Sequence, residues 1–287
     1  MCYVSVGART MTTEIGRLPS AWARYDDVAE AYDRFQASNG YAALARDLVI
    51  ALNLPPDAAV LDVGCGSGAG VLAAQEVVGV HGFVVGLDIS VPMLHRAAAS
   101  GARHLVAGIV LGLPFHECSF DGVTASLVLS HVEQYDLGLR EMVRVVKPGG
   151  RLGVSAAAQS PSRPNVAYRT WEGTAEAMVG REALLSAKGS VAPLEEWLID
   201  SAHLEAALAS AGLDQIEVRE REYQVRMPTN DYLAMLDMFA YGRFVRHRLG
   251  AARWDEFRHT VAGNVAALGL NQVEYTSRYH ISVGTKP

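Results

Sequence analysis

Short, largely apolar stretches recur along the first half of the chain: Ala58–Asp62, Phe83–Asp88, His104–Ala107, Phe120–Leu129 and Arg151–Ala156. Apolar runs of this kind, bounded by turn residues, predict strands buried on both faces. Between them lie segments with Ala, Leu and Val at helical spacing: Tyr41–Leu52, Ala69–Val78, Val91–Ser100 and Leu137–Val146. Pro92 falls in the first turn of the third, where a helix needs no amide donor. Lys147-Pro148-Gly149-Gly150 stops the last of these helices. Strands alternating with helices imply a parallel sheet with right-handed crossovers. Such a sheet holds the loops after its strands on one edge, where a ligand would lie.

The alternation pauses after Ala158. A Pro- and Ser-bearing loop, QSPSRPNVAYRT, leads into helix-like segments that run to Gly189. Glu195–Ala211 predicts a helix, with Gly212 as its stop. Gln215–Arg226 alternates as a half-exposed strand does. Two helices, Asn230–Leu249 and Ala252–Leu268, precede a final strand, Val273–Lys286. The pattern predicts an antiparallel hairpin at one sheet edge, carrying a helical insertion that can fold over the ligand edge. At the other end, Ala21–Ser38 predicts a helix with Trp22, Tyr25, Tyr32 and Phe35 along one side. That stripe reads as core packing or as a lid.

The sharpest local signal is VLDVGCGSG, Val60 to Gly68. An apolar strand ends in Asp62 and passes into glycines at 64, 66 and 68, followed at once by a helix. Glycine lets a ligand lie against bare backbone at a helix N-terminus. The second strand ends in Asp88, where an acid can accept both hydroxyls of a ribose. Gly64, Gly66 and Ala69 also satisfy G-x-G-x-x-A, so a nicotinamide-dependent oxidoreductase is an alternative reading. Gly68 and the downstream LPF and KPGG elements are not called for by that fold.

Composition narrows the partners. A net charge of -6 provides no electrostatic footprint for nucleic acid or an acidic membrane. The three cysteines, Cys2, Cys65 and Cys118, lack disulfide-framework or metal-ligand spacing. No apolar run reaches the roughly 18 residues of a membrane span. The N-terminus lacks the basic-then-apolar order of a secretory leader. The expectation is a cytoplasmic protein acting on a small molecule, without metal. Self-association is left open, with the aromatic N-terminal helix as the surface to pack against a neighbour.

VLDVGCGSG, GLDIS, LPF after a short strand, FDGVTASLVLSHV and REMVRVVKPGGRLGVS stand in the order of class I S-adenosylmethionine-dependent methyltransferases. Residues 25–157 resemble most the ubiquinone/menaquinone-biosynthesis branch and related natural-product enzymes. The resemblance implies a Rossmann-like, seven-stranded, mostly parallel sheet with the last strand antiparallel. It implies that Asp62, Gly64, Cys65, Gly66 and Gly68 cradle S-adenosylmethionine, with S-adenosylhomocysteine as product. It places Asp88 on the ribose, Ile89 and Met93 near the adenine, and the Ser126 carbonyl on the methionyl amino group. Tyr25 and Tyr32 become lid residues for the cofactor carboxylate or the substrate. Where the family carries Gly-Asp-Ala before the LPF turn, this chain has Gly108-Ile109-Val110. The missing acid would accept the adenine amino group, and one neutral hydrogen bond is worth roughly 1 kcal/mol.

The implied regions are a tail (1–20), a helical lid (21–52), a cofactor-binding core (53–158) and a lid segment (159–190). Residues 191–227 and 269–287 complete the sheet, and 228–268 form a substrate cap. Methyl transfer is an in-line displacement, so the protein chiefly aligns the reactants in a dry site. His131 is the candidate base, with cofactor contact or packing as its other role. Tyr25 and Tyr32 are further candidates, and Glu133 is a candidate to orient His131. Tyr168, Trp171, Trp197, Phe239 and Phe244 would line an apolar substrate pocket, unless they are core. A cyclisation catalyst that keeps the cofactor and transfers nothing is the third reading.

Overall fold

The computed structural model describes residues 26–29, 32, 35, 40–158 and 165–287. Trp22, Tyr25 and most of the predicted N-terminal helix lie outside the described residues; Asp26–Val28 is a short 3-10 turn. The helices are α1 (Tyr41–Ala51), α2 (Ala69–Val78), α3 (Val91–Ala99), α4 (Tyr135–Val145), α5 (Val166–Val179), α6 (Arg181–Val191), α7 (Ser201–Ser210), α8 (Thr229–Met238) and α9 (Ala240–Ala267). The strands are β1 (Ala59–Val63), β2 (Phe83–Asp88), β3 (His104–Ala107), β4 (Phe120–Ser126), β5 (Val146–Ala157), β6 (Asp214–Pro228) and β7 (Gln272–Thr285).

They form one seven-stranded sheet, ordered β3-β2-β1-β4-β5-β7-β6. The strands from β3 to β5 pair in parallel, and β7 runs antiparallel between β5 and β6. β1, β2 and β4 are the apolar runs of the sequence, and the core packs on them through Leu61, Val63, Val85, Leu87 and Val123. The order reverses between β1 and β4, so a crevice opens beyond their C-terminal ends.

Two predicted boundaries move for backbone reasons. β4 ends at Ser126, three residues early, because Leu127 turns to a φ of 58° and Leu129–His131 coil into a 3-10 turn. Lys147 to Gly150 lie inside β5 instead of before it, because Val146 pairs with Phe120 across a bulge. The predicted 195–211 helix is also two pieces, Trp197–Ile199 and α7, because Asp200 caps α7 by accepting the Ala202 amide at 2.9 Å.

The hairpin decides where the insertion goes. β5 stops pairing with β7 at Ala157↔Tyr279. β6 and β7 continue from Glu222↔Arg278 to Pro228↔Gln272. At about 3.3 Å per residue this extension lifts the hairpin tip roughly 20 Å beyond the sheet edge. The tip carries α8 and α9, which close a second hydrophobic core with α5 and α6. Phe35, Trp171, Val225, Met227, Met235, Phe257 and Val273 are buried there together. The described part of the segment read from sequence as 159–190 thus shares one core with 228–268, and the upper half of the hairpin belongs to it.

Within the cap, the predicted helix 230–249 is interrupted: Phe239, at φ -63° and ψ 160°, is extended and separates α8 from α9. Gly250, at φ 69° and ψ 171°, breaks α9 where the sequence had placed the gap between helices. Among the described residues no helix is long and apolar enough to cross a membrane.

Candidate active site

The glycine loop sits at the top of β1, between β2 and β4. Gly64, Gly66 and Gly68 have φ of 67°, 52° and 97°, a region that side chains rarely occupy. A Cβ on Gly64 would come within 2.5 Å of Val128, and one on Gly68 within 3.0 Å of Ala97. Gly66 differs: nothing lies within 4 Å of the place its Cβ would occupy, so the loop presents bare backbone to open space there. Gly64 and Cys65 both donate amides to the Leu87 carbonyl, at 2.7 and 3.0 Å, which ties the loop to β2.

Asp88 faces the same space. One carboxylate oxygen accepts the Gly66 amide and the other the Ser90 amide, each at 2.8 Å. Burial pushes its pKa up, against the pull of those two amides. The next residue, Ile89, is 52% exposed, an apolar side chain standing beside a polar anchor. Gly108 donates to the Asp88 carbonyl at 3.0 Å, bringing the Gly108-Ile109 turn alongside.

Asp62 lies behind the loop. It is 3% exposed and accepts the Thr124 hydroxyl at 2.8 Å. A Cβ on Gly70 would reach within 2.4 Å of its carboxylate, so glycine is required in the first turn of α2. Burial raises the Asp62 pKa to about 7. With a folded-state pKa above its unfolded value, Asp62 favours the native state at low pH. That contribution falls as pH rises from about 4 through about 7. Asp62→Asn is expected to flatten the fall in melting temperature between pH 5 and 8, measured by calorimetry; superimposable profiles would remove Asp62 from the pH dependence.

The LPF turn is clamped by α4. Glu141 accepts the Leu113 amide at 2.9 Å, and Arg144 donates to the Phe115 and Leu113 carbonyls at 2.8 and 3.0 Å. The Arg144 guanidinium beside Glu141 holds that carboxyl below its ordinary range. In the sequence, REMVR entered only as part of the stretch that carries the family resemblance. An Arg three residues after a Glu was its one available signal.

An aromatic cluster stands beside Leu127, just past the end of β4. Tyr41 starts α1 at the sheet's ligand edge and clusters with Leu127, Ala157 and Tyr279. Its ring lies 6.2 Å from Tyr32, 6.4 Å from Phe239 and 6.2 Å from Tyr279. Three separated stretches, the N-terminal segment, the cap and the sheet, therefore meet at one tyrosine. Neither Tyr41 nor Tyr279 was singled out in the sequence. Tyr279 sits mid-strand, and only its register with Ala157 brings it to the edge.

The comparisons with known proteins bear on this geometry. A profile of the methyltransferase domain matches residues 61–154. Those residues belong to the methyltransferase-domain family, of the class I S-adenosylmethionine-dependent type. A demethylmenaquinone methyltransferase of Staphylococcus haemolyticus is 41% identical over 108 residues, 36% of this chain and 45% of that protein. One of Shouchella clausii is 34% identical over 154 residues, 49% of this chain and 65% of that protein. The match thus spans about half the length of these curated relatives. In fold, the chain superposes with a TM-score of 0.53 on a candidate methyltransferase of Bacillus halodurans, at 18% identity, covering 85% of this chain and 99% of that one. A SAM-dependent methyltransferase of Thermotoga maritima superposes at 0.52 and 15% identity, covering 93% and 99%. None of these matches favours the nicotinamide reading.

The methyltransferase domain's cradle suits the cofactor of its type. Open backbone at Gly66, the Asp88 carboxylate and exposed Ile89 together fit a ribose bearing a flat base. The other residues assigned from sequence take the following places. Met93 is 2% exposed in the base of α3. Cys65 is buried beneath the loop, and burial pushes its thiol pKa up. Ser126 shares a 3.0 Å hydroxyl contact with Ser155 at the end of β4. His131 is exposed in the 3-10 turn after β4, and Glu133 is exposed nearby.

Trp171 is 1% exposed, meets Phe257 edge-on at 5.6 Å and donates to Asp237 at 3.3 Å, so most of its indole packs in the cap core. Trp197 is half-buried, stacks on His203 at 4.6 Å and leans on Tyr135 at 5.1 Å. Tyr168 bonds Glu172 beside Trp171, on the cap. Phe244 is half-buried against the cap core, and Phe239 alone of this group joins the aromatic cluster.

Proposed function

We propose that the protein methylates a small, largely apolar metabolite, of quinone-like or natural-product type, on oxygen, nitrogen or carbon. The observation that carries this reading is the aromatic cluster of Tyr32, Tyr41, Tyr279 and Phe239 near the end of β4. A flat apolar acceptor finds ring faces there, and a net charge of -6 gives the chain little overall attraction for a nucleic acid. The naming of relatives as demethylmenaquinone methyltransferases supports a ring-bearing acceptor.

When bound, S-adenosylmethionine supplies an electrophilic methyl group on a sulfonium. Asp88 would hold the ribose hydroxyls, Ile89 and Ile109 would pack on the adenine, and the Ser126 carbonyl would receive the methionyl ammonium. Tyr41 and Phe239 would align the acceptor and exclude water, and alignment is the larger part of catalysis for a displacement with a good leaving group. For a hydroxyl or amine acceptor, His131 would take up the proton as the new bond forms. The unpaired thiols Cys65 and Cys118 support a reducing, cytoplasmic setting for this activity.

The test is incubation with methyl-labelled cofactor and a panel of apolar phenols, quinols and amines, scoring label in the extractable product. Binding of S-adenosylhomocysteine with no labelled product from any competent acceptor would favour the cyclisation reading. His131→Ala is expected to slow turnover roughly a hundredfold, the scale of general-base assistance. The same change should leave S-adenosylhomocysteine affinity nearly constant. If only the affinity moves, His131 is a binding residue.

A further inference from the structure

The ribose carboxylate has a second acid beside it, reached through a serine. Ser90 is 3% exposed and follows Asp88 by two residues. Its amide donates to Asp88, and its hydroxyl caps α3 by accepting the Met93 amide at 3.4 Å. Capping uses the hydroxyl's oxygen alone. Its proton is donated to Asp26, at 2.7 Å, in the 3-10 turn 64 positions earlier in the chain. Asp26 thus locks the loop that orients Asp88 and sets a negative charge close to it. No lysine or arginine among the described residues forms an ion pair with either carboxylate.

We propose that Asp26 is a positioning residue for the cofactor: through Ser90 it fixes the Asp88 loop, and its nearby charge contributes to the pH dependence of that hold. This rests on the cofactor reading above. The titratable groups acting on Asp88 are Asp26 from the N-terminal turn, Asp62 from β1 and Cys65 from the glycine loop. All of them disfavour its charged form when ionised. An ionised Asp88 accepts donors at both oxygens. Protonation removes one acceptor, so affinity falls as pH drops through its pKa. Burial is the larger cause of that raised pKa, and the Asp26 charge adds to it.

Two substitutions separate the bond from the charge. Asp26→Asn keeps an oxygen for the Ser90 proton and removes the charge. Asp26→Ala removes both. S-adenosylhomocysteine affinity is measured by calorimetry on the full chain from about pH 5 to 8, with circular dichroism reporting folding. Asp26→Asn is expected to match the unaltered protein within about threefold near pH 8, and to carry its acid limb to lower pH. Asp26→Ala should bind roughly tenfold more weakly near pH 8, as loss of a charge-assisted bond predicts. Superimposed profiles for Asp26→Asn, or unchanged affinity in Asp26→Ala, would overturn the proposal. Failure of the unaltered protein to bind at any pH would overturn the cofactor reading instead.

Discussion

Asp88→Ala should weaken S-adenosylhomocysteine binding by more than tenfold, with the fold intact. The carboxylate would accept two ribose hydroxyls, and a hydrogen bond to a charged group is worth about 1.5–3 kcal/mol. A tenfold change in affinity needs only about 1.4 kcal/mol. The loss has a second source, because Asp88 also accepts the Gly66 and Ser90 amides at 2.8 Å. Its removal releases the glycine loop from β2 on that side. Calorimetric titration is the measurement, and Asp88→Asn divides the two sources. Asparagine still has one oxygen for an amide but cannot accept at both ends. An unchanged dissociation constant in Asp88→Ala would end the ribose assignment.

Trp171→Ala should destabilise the cap far more than it affects the cofactor. The indole is 1% exposed, packs on Phe257 and donates to Asp237, whose carboxyl burial pushes its pKa up to about 6. Truncating a large buried aromatic costs about 3–5 kcal/mol. Loss of the indole N–H leaves Asp237 with one partner fewer in a half-buried place. The expected result is a melting transition lowered by many degrees, assigned to residues 165–191 and 222–278 by hydrogen exchange. Cofactor affinity at low temperature should stay within about threefold, since the cradle lies on the other core. Reduced acceptor binding with an unaltered melting profile would return Trp171 to the pocket.

The sequence left Trp171 open between pocket and core for an ordinary reason. Tyr168, Trp171 and Phe244 have the composition of an apolar pocket and of an apolar core, and nothing local separates the two. Which one a residue enters depends on a second hydrophobic nucleus, built where the β6–β7 extension lifts α8 and α9 against α5. Trp197 shows the same ambiguity resolved in favour of its own helix layer. Tyr41 and Tyr279 show the converse. One opens a helix and the other sits inside a strand, so neither looked like a site residue. Register alone carries Tyr279 to Ala157 at the ligand edge. The β4 and β5 boundaries moved because a left-handed Leu127 and a bulge at Phe120–Gly122 override apolar patterning.

By itself the sequence determined the alternating core, the glycine loop, the acid at the end of β2 and the break at Gly250. These depend on periodicity and on backbone demands local to a few residues, which the chain states directly. VLDVGCGSG marked the ligand edge because only glycine tolerates those angles and that approach. The tertiary structure alone decided that Asp62 stands behind the loop, that two separated helical segments share one cap, and that Asp26 reaches Asp88 through Ser90. It also decided which aromatics gather around Tyr41. Each of these joins residues distant in sequence, through strand register and the choice of which apolar faces bury one another. Neither is written in any short stretch of the chain.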